Sequence, residues 1–434
     1  IYQQGACYAN GEFIQVHPTA IPGADKLRLI SESARGEGGR IWVPKDPKEK
    51  RPGRDVGQGD RDYFLEEKYP GYGNLVPRDI ASRELFLKCF HEKRGIYNTK
   101  SQKNENEVYL DLTHIPKDTL RRKLAGILEI YEKFVGEDPY ENPMRVFPAV
   151  HYSMGGLWVD FERASNGSLV VGSPKNQSTN IEGCYAAGEV DYQYHGANRL
   201  GANSLLSCIY AGMVTGPAMA SYRQGLDKSS YDMPSSLFDK AEKREQKKWE
   251  KILGLEGDEN AFQIHEELGQ AMLLDVTIER HNEKIDKVLG TIDELTARSK
   301  KVNVLDKSTK ANDNARFVRH LDNMLVLARV IAQGARNRDE SRGAHFKPEF
   351  KGDRNDAEWQ RSTLAFHQDG GKGAPTIEFK RAFDYSLLGQ TQNISDAVDV
   401  SLVRPRARRY EQAGAASAVA QKQTDEKKKE VVNG

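Results

Sequence analysis

The chain has 434 residues and a formal net charge of +1, since 64 Lys and Arg residues stand against 63 Asp and Glu residues; this balance argues against a protein whose main task is to bind nucleic acid. The length predicts about three domains at ~150 residues each. Apolar residues make up 38% of the chain, which is enough for buried cores. They nowhere form the run of ~18 apolar residues that a membrane-spanning helix needs. Four cysteines without CxxC spacing are typical of a reducing compartment and predict no metal site.

The predicted elements change in kind along the chain. Residues 1 to about 225 mix short apolar runs with Gly, Pro and Asn, as expected for strands joined by functional loops, and one amphipathic helix interrupts them from Asp118 to Gly136. From about 235 to 336 the apolar spacing predicts three long helices in an antiparallel bundle. The sequence that follows is irregular, with a short strand at Thr376–Phe379, and from Glu411 onward it predicts a disordered, solvated tail.

The first candidate site residues lie in two stretches near the amino end. In Val16-His17-Pro18-Thr19-Ala20, the proline keeps His17 out of the helical region, so its ring can be aimed into a cleft. In Ser31-Glu32-Ser33-Ala34-Arg35-Gly36-Glu37-Gly38-Gly39, a hydroxyl, two carboxylates and an arginine precede a glycine pair that turns tightly. Each stretch also has a plainer interpretation, namely a histidine satisfied by its neighbours and a salt-bridged loop.

A third stretch predicts a helix that begins near an arginine. Pro77 suits the first turn of a helix, which places Arg78 and Asp79 at its amino end. The helix dipole favours an aspartate there and disfavours an arginine, so Arg78 needs another reason, either a carboxylate partner or a substrate. An ion pair with Asp79 or with a nearby Glu is the purely structural interpretation.

Two later stretches combine histidine, arginine and glycine. His151 leads into the pair Gly155-Gly156, and in residues 186–206 Arg199 precedes an apolar run that predicts a buried helix. The amino end of that helix, at Asn203, has free backbone N–H groups that suit an anion or a polarised ring oxygen. Two histidines, two arginines and a hydroxyl on glycine-bearing loops suit a small dicarboxylate better than a metal. Their spacing alone does not show that they converge.

Six motifs, in this order along the chain, resemble the flavoprotein subunit family of succinate dehydrogenase and fumarate reductase. The motifs are His17-Pro18-Thr19-Ala20, Arg35-Gly36-Glu37-Gly38-Gly39, Val76-Pro77-Arg78-Asp79-Ile80, His151-Tyr152-Ser153-Met154-Gly155-Gly156, Gly196-Ala197-Asn198-Arg199-Leu200 through Ser204-Leu205-Leu206, and Arg338-Asp339-Glu340-Ser341-Arg342-Gly343-Ala344-His345. The resemblance covers about residues 8 to 410. The residues of the first and third motifs are similar to those in the Gram-positive type of this subunit.

The resemblance implies an FAD enzyme that oxidises succinate to fumarate, and it assigns roles to individual residues. Arg78 would be the proton acceptor, with Glu32 relaying the proton. The substrate carboxylates would be held by His17, Ser31, His151 and Arg199. The flavin would be contacted by Glu189, Asn203, Ser204 and Leu205. An arginine has an ordinary pKa above about 12, so as a base it needs neighbouring cations and a water-poor pocket; His17 and Arg199 are the expected cations.

The resemblance also implies a mixed fold, partly α+β and partly α/β. Its parts are an α+β capping domain, a partial Rossmann-like FAD domain, a three-helix antiparallel bundle and an irregular carboxy-terminal region. The expected limits are 1–10 for the end of the first part of the FAD-binding domain, 11–148 for the capping domain, 149–225 for the second part of the FAD-binding domain, 226–345 for the bundle, 346–410 for the carboxy-terminal region and 411–434 for the tail.

The chain departs from the family at its amino end. A Gly-x-Gly-x-x-Gly turn that holds the FAD diphosphate is not found, because Gly36-Glu37-Gly38-Gly39 and Gly71-Tyr72-Gly73 lack the required frame. We therefore expect that the amino-terminal FAD segment, with the histidine that bonds covalently to the flavin, is missing, and that this chain by itself holds FAD poorly and is inactive. Ala202 and Ser207 are smaller departures, at positions where glycine and an acid are common in the family.

Several alternatives stay open from the sequence. The resemblance implies an iron–sulfur subunit and a membrane anchor cytochrome b subunit as partners, electrons passed on to quinone, no nucleic acid, and a peripheral place at the cytoplasmic face of the cell membrane. Fumarate reductase is the same reaction in reverse, and these residues do not display the direction. L-aspartate oxidase shares several motifs, although the helical region and Ser153-Met154 favour the dehydrogenase. A non-catalytic module that docks on an iron–sulfur partner without flavin is the alternative of a different class.

Overall fold

Short strands dominate the first third of the chain and long helices the later part. The computed structural model describes residues 1–22, 28–99, 101–166, 168–350, 354–368 and 375–381. These residues form two compact units, one comprising Ile1–Ile14 with the described residues from Ser153 onward, the other comprising Gln15–Tyr152. The tail predicted for 411–434 lies outside the described residues. The finer domain limits expected from the sequence stay predictions.

The described residues contain eleven strands and ten α-helices. The strands are β1 (Tyr8–Ala9), β2 (Ile14–Ala20), β3 (Arg40–Pro44), β4 (Arg61–Asp62), β5 (Tyr97–Asn98), β6 (Lys103–Asn104), β7 (Val108–Asp111), β8 (Met144–Ser153), β9 (Gly156–Leu157), β10 (Arg361–Phe366) and β11 (Thr376–Arg381). The helices are α1 (Ser33–Gly36), α2 (Phe64–Lys68), α3 (Arg78–Phe86), α4 (Lys117–Val135), α5 (Asn203–Gln224), α6 (Ser235–Leu253), α7 (Ala261–Met272), α8 (Asn282–Arg298), α9 (Asp313–Asn337) and α10 (Asp356–Trp359).

The unit Gln15–Tyr152 is built on a five-stranded sheet in the order β2-β8-β7-β3-β4. Strand β2 lies at an edge of this sheet, a position that tolerates Pro18 because proline has no N–H group to donate to a second neighbour. Helix α4 buries an apolar stripe that includes Leu120 and Leu128, and it ends where Gly136 adopts a φ of 77°. The helix predicted from Asp118 to Gly136 is thus confirmed to within a residue at each end.

The other unit contains a four-stranded sheet in the order β11-β10-β1-β9, with antiparallel neighbours throughout. The strand predicted at Thr376–Phe379 is confirmed, since it forms most of β11. Strand β10, which the sequence pattern did not predict, pairs with β1 so that Ala365 lies opposite Tyr8. The sheet therefore joins the amino end of the chain to residues near its carboxyl end.

Helix α5 forms as predicted, but its large apolar residues are not buried. Leu205, Leu206 and Ile209 are 72%, 65% and 62% exposed. The buried side of the helix consists of four small or hydroxyl-bearing residues: Ser207, Ala211, Thr215 and Ala218. Small side chains allow the helix to pack closely against its neighbours, and the larger residues are then left on the opposite side. The expectation of a buried helix is wrong for the described residues.

The helical region contains four long helices among its described residues, where the sequence predicts three. The apolar stripe from Leu268 to Leu295 belongs to two helices, α7 and α8, because the chain passes through a wide π turn at Leu273–Thr277 before α8 begins. Helices α7, α8 and α9 share one apolar core, and α6 contributes to it only partly buried residues near its end, such as Trp249. No helix in the described ranges has both the length and the apolarity that crossing a membrane requires.

A buried ionic cluster follows the bundle, at the sixth motif. Arg338 and Glu12 are both fully buried, and Arg338 Nε donates to Glu12 Oε1 at 2.7 Å. Arg338 also donates from Nη1 to Glu340 at 2.9 Å and from Nη2 to the Thr363 hydroxyl at 3.0 Å. Buried charges are tolerated only when they are paired and hydrogen-bonded, and this arginine meets that condition. The cluster ties the amino end of the chain to the segment after α9.

Candidate active site

Strand β2 presents a face of buried polar side chains. Gln15, His17 and Thr19 alternate along the strand, so their side chains point to the same side of the sheet. Their exposed fractions are 1%, 2% and 0%. Buried polar groups require hydrogen-bond partners, and Gln15 finds one in Arg78 while Thr19 finds one in the carbonyl of Ile30. The strand therefore connects a histidine and an arginine that the sequence assigned to one site.

The hydrogen bonds around His17 determine which of its ring nitrogens donates. The backbone N–H of Thr19 donates to His17 Nδ1 at 3.2 Å, and the Thr19 hydroxyl donates to the Ile30 carbonyl at 2.9 Å. A backbone N–H can only donate, so Nδ1 is the acceptor and the proton of the neutral ring lies on Nε2. The ring of His151, on β8, lies edge-on to His17 with 5.2 Å between the ring centroids. The structure thus brings these two predicted substrate ligands together.

The Glu32 carboxylate lies between two arginines. Arg78 Nε donates to Oε2 at 2.7 Å, and Arg35 Nη2 donates to Oε1 at 2.6 Å. Arg78 is the first residue of α3, as the position of Pro77 predicted, and it is 8% exposed. Of the two reasons that the sequence left open for Arg78, a carboxylate partner or a substrate, the structure shows a carboxylate partner, and it is Glu32. Ser31, the residue before Glu32, is half-buried, and its hydroxyl lies 3.2 Å from that of Ser33.

Arg35, to which the sequence assigned no site role, forms the ion pair that the alternative of a salt-bridged loop predicted. It is 2% exposed, and it donates to the carbonyls of Asn74 and Val76 as well as to Glu32. Burial lowers the pKa of the Arg35 guanidinium; Glu32 opposes that effect, and the positive charge of Arg78 adds to it. The spacing of Glu32 and Arg35, three residues apart, was the available signal, because it puts both side chains on one face of the short helix α1.

The predicted substrate ligand Arg199 belongs to the other unit, where it is 3% exposed. Nearby, the Ser207 hydroxyl donates to the Ser204 carbonyl at 2.8 Å, so it accepts from His195 Nε2 at 3.2 Å. Burial, and then the positive charge of Arg199, lower the pKa of His195, which keeps its ring neutral at neutral pH. Ser207 thus supplies a hydrogen-bond partner of His195.

The fourth motif packs against the turn that carries Glu189. The Glu189 carboxylate accepts the backbone N–H of Ser153 at 3.0 Å, although most of the Glu189 side chain is exposed. A Cβ atom at Gly156 would overlap the carbonyl oxygen of Val190, so only glycine permits this approach of the two backbones. The glycine pair therefore brings Glu189 next to the end of β8.

The start of helix α5 fits a flavin ring. The helix begins at Asn203 without a side-chain cap among the described residues, after Ala202 in a left-handed conformation with a φ of 65°. Its first N–H groups have no acceptor within the helix and carry the positive end of the dipole. Such donors suit the polar edge of an isoalloxazine, and Leu205, which is 72% exposed, suits its apolar face. In the described ranges, no group of three or more His, Cys, Asp or Glu side chains can hold a metal ion.

Comparisons with known proteins agree with these features. Residues 1–205 match the family described as FAD binding domain, and residues 265–410 match the family described as fumarate reductase flavoprotein C-term. The chain is 53% identical over 410 residues to the succinate dehydrogenase flavoprotein subunit of Bacillus subtilis, a match that covers 94% of this chain and 61% of the relative. It is 34% identical over 380 residues to the fumarate reductase flavoprotein subunit of Haemophilus influenzae, which covers 87% of this chain and 58% of that protein.

Solved structures show the same fold. A quinol–fumarate reductase with menaquinol molecules matches with a TM-score of 0.71 and 29% identity, covering 87% of this chain and 61% of that chain. A mutant of Escherichia coli quinol fumarate reductase matches with a TM-score of 0.70 and 28% identity, covering 94% and 62%. The chain spans about three fifths of the length of the relatives it matches.

The fold and the matched family models define the class of flavoproteins that carry an FAD binding domain. More specifically, the chain is similar over most of its length to the flavoprotein subunits of succinate dehydrogenase and fumarate reductase. The resemblance that rested on six motifs is confirmed, and so is the mixed α and β fold class.

Proposed function

We propose that the protein acts as a succinate dehydrogenase flavoprotein subunit, which oxidises succinate to fumarate. The observation that carries this proposal is the part-buried contact of Arg78 with Glu32, on the same unit as the adjacent rings of His17 and His151. A relay of a basic group and a carboxylate suits the removal of a proton, and imidazole donors suit carboxylates. The direction is supported by the name of the Bacillus subtilis relative, which is more similar to this chain than the fumarate reductase relatives.

We propose that four side chains bind the carboxylates of the substrate. His17 offers its Nε2–H, because Nδ1 accepts from Thr19. We assign His151, the Ser31 hydroxyl and the planar fork of Arg199 to the same substrate, following the motifs that carry the resemblance. Fixed donors withdraw charge from a bound carboxylate, so the C–H bonds next to it become easier to break.

Arg78 is proposed to take a proton from one methylene carbon of succinate and to pass it to Glu32, through the 2.7 Å contact of Nε with Oε2. Arg35 binds the other oxygen of Glu32, so the carboxylate cannot rotate away from Arg78. FAD, when bound, would supply the acceptor for the hydride that leaves the neighbouring carbon. Succinate thereby loses one proton and one hydride and becomes fumarate.

The cofactor contacts and the partners complete the proposal. Glu189, Asn203, Ser204 and Leu205 would contact the flavin, in agreement with the uncapped start of α5. The electrons would pass to an iron–sulfur subunit and then to quinone, with a cytochrome b subunit as the membrane anchor at the cytoplasmic face of the cell membrane. Support comes from the names of the relatives, which are flavoprotein subunits of dehydrogenases and reductases.

Steady-state assays of the flavin-loaded protein test the proposal. Succinate should reduce an artificial electron acceptor, and malonate should inhibit that reaction competitively. Reduction of fumarate without oxidation of succinate would assign the reverse direction, and turnover of L-aspartate alone would assign an aspartate oxidase. A protein that binds an iron–sulfur partner but takes up no flavin, even when an amino-terminal FAD segment is supplied, would be a docking module instead.

The variant Arg199→Ala is expected to weaken malonate binding by roughly 10- to 100-fold. A hydrogen bond from a charged donor contributes about 1.5–3 kcal/mol, and 1.4 kcal/mol corresponds to a factor of ten. The dissociation constant can be measured from the change in flavin absorbance on addition of malonate. Arg223→Ala, at an exposed position of α5, is the matched control and should bind malonate normally. Unchanged binding in Arg199→Ala would show that the residue is misassigned.

A further inference from the structure

We propose that Gln15 is a positioning residue for Arg78, which it holds at a fixed orientation beside His17. This inference rests on the proposed function, since it concerns the residue assigned as the proton acceptor. Gln15 lies outside all six motifs that carry the resemblance, and no role was predicted for it from the sequence. Its carboxamide oxygen accepts from Arg78 Nη1 at 3.2 Å.

Two hydrogen bonds together fix the plane of the Arg78 guanidinium. Glu32 accepts from Nε at 2.7 Å, and Gln15 accepts from Nη1 at 3.2 Å, so the two contacts use different nitrogens of one rigid, planar group. With only one of them, the guanidinium could still rotate about the remaining bond. Gln15 is 1% exposed and Arg78 is 8% exposed, so water has little access to replace the contact between them.

The place of Gln15 on β2 sets the distance between Arg78 and the substrate ligands. Gln15 and His17 are two residues apart on one strand, and side chains at that spacing lie ~7 Å apart on the same face. A strand paired within a sheet is a stiff spacer. Gln15 thus holds the proposed proton acceptor one step along the strand from His17, the histidine proposed to bind a substrate carboxylate.

The Gln15 amide carries no charge, and this is part of its proposed role in positioning Arg78. An amide oxygen and a carboxylate oxygen can accept the same hydrogen bond, but only the carboxylate adds a negative charge, which favours the protonated form of a nearby base. Glu32 already supplies one carboxylate to Arg78. A glutamine at position 15 therefore orients the guanidinium without opposing its loss of a proton.

The variants Gln15→Leu and Gln15→Glu separate orientation from charge. In the flavin-loaded protein, Gln15→Leu should lower kcat for succinate oxidation by roughly 10- to 100-fold, because small misplacements of catalytic groups cost about that much. KM for succinate and the dissociation constant of malonate should stay within about twofold. Gln58→Leu and Gln58→Glu are the matched controls, since Gln58 is exposed in the same unit, and they should behave as the wild type.

The pH dependence of kcat in Gln15→Glu tests the role of Gln15, because it would not change if Gln15 only stabilised the fold. A carboxylate next to Arg78 favours the protonated guanidinium, so the base form would be reached only at higher pH, and the acidic limb of kcat should move up by about one pH unit. Arg35 and Glu32, the charged groups that share this contact network, are unchanged in the variant.

Each outcome either supports or overturns the role of Gln15. An unmoved acidic limb in Gln15→Glu, or a wild-type kcat in Gln15→Leu, would overturn it. If Gln15→Leu does not fold, Gln15→Glu decides alone, because it keeps the size and the hydrogen-bond acceptor. Failure of the proposed function is distinguishable, since the wild-type protein and the Gln58 variants would then not oxidise succinate either.

Discussion

Replacing Arg78 by Lys is expected to lower the rate of succinate oxidation by ~100- to 10,000-fold while the flavin stays bound. That range is typical for the loss of a general base. Lysine presents a single nitrogen in place of a planar fork, so it cannot contact Glu32 from one atom and Gln15 from another, as Arg78 does. The rate of flavin reduction after rapid mixing with succinate measures the effect, and the flavin content of the purified variant shows whether the cofactor remains.

A conservative change elsewhere in the same unit controls for this experiment. Arg121 lies on α4 with 64% of its side chain exposed, and Arg121→Lys should reduce its flavin at the wild-type rate. Malonate should still bind to Arg78→Lys, because the proposed carboxylate ligands His17, Ser31 and His151 are intact. Full activity of Arg78→Lys would remove Arg78 from the role of proton acceptor.

The variant Arg338→Met is expected to reduce the free energy of unfolding by about 3–5 kcal/mol, the range found when one partner of a buried ion pair is removed. Arg338 is fully buried and contacts both Glu12 and Glu340. Methionine fills a similar length but carries no charge, so the fully buried carboxylate of Glu12 loses the cation in contact with it. The midpoint of urea-induced unfolding, followed by circular dichroism, measures the loss.

Two further variants show whether charge is the cause of that loss. The double variant Glu12→Gln with Arg338→Met should recover part of the stability, because it no longer leaves the Glu12 charge uncompensated. Glu129→Gln removes an exposed partner of Lys133 on α4 and should leave the midpoint of unfolding nearly unchanged, because solvent screens an exposed ion pair. A cost below about 1 kcal/mol for Arg338→Met would mean that the buried pair does not stabilise the fold.

Features of the fold that depend on residues close together in the sequence could be predicted from the sequence alone. Helix α4 is bounded by local signals, an apolar stripe of period 3.6 and a glycine in the left-handed conformation at its end. The start of α3 at Arg78 likewise follows from Pro77. Strand β10 and its pairing with β1 could not be predicted in this way, because hydrogen bonds between distant segments leave no periodic pattern in either one.

Errors in the prediction also have local physical causes. The division between α7 and α8 was missed because apolar residues continue through the turn that separates them, so the stripe looks unbroken when only residue types are counted. The exposure of α5 was not predicted because the large apolar residues of this run were assumed to form the buried side of the helix. In the described structure its small residues, such as Ala211, form the packed side.

The assigned site residues came from motifs, whereas their contacts came from the structure. The motifs singled out Arg78 and Glu32, and the coordinates show that the two are in contact. Gln15 and Thr19 were not singled out, although they alternate with His17 along β2, and that period of two is the signal that marks side chains on one face of a strand. Arg35 was visible from its spacing to Glu32.

An anaerobic titration of the flavin-loaded protein with succinate tests the proposed function most directly. Succinate should bleach the absorbance of the oxidised flavin in proportion to the amount added, and fumarate should restore that absorbance, because the same residues serve both directions of proton transfer. Malonate, which binds the carboxylate ligands but cannot be oxidised in this way, should slow the bleaching. A flavin that succinate does not bleach, in a protein that still binds malonate, would contradict the assignment of this chain as a succinate-oxidising flavoprotein.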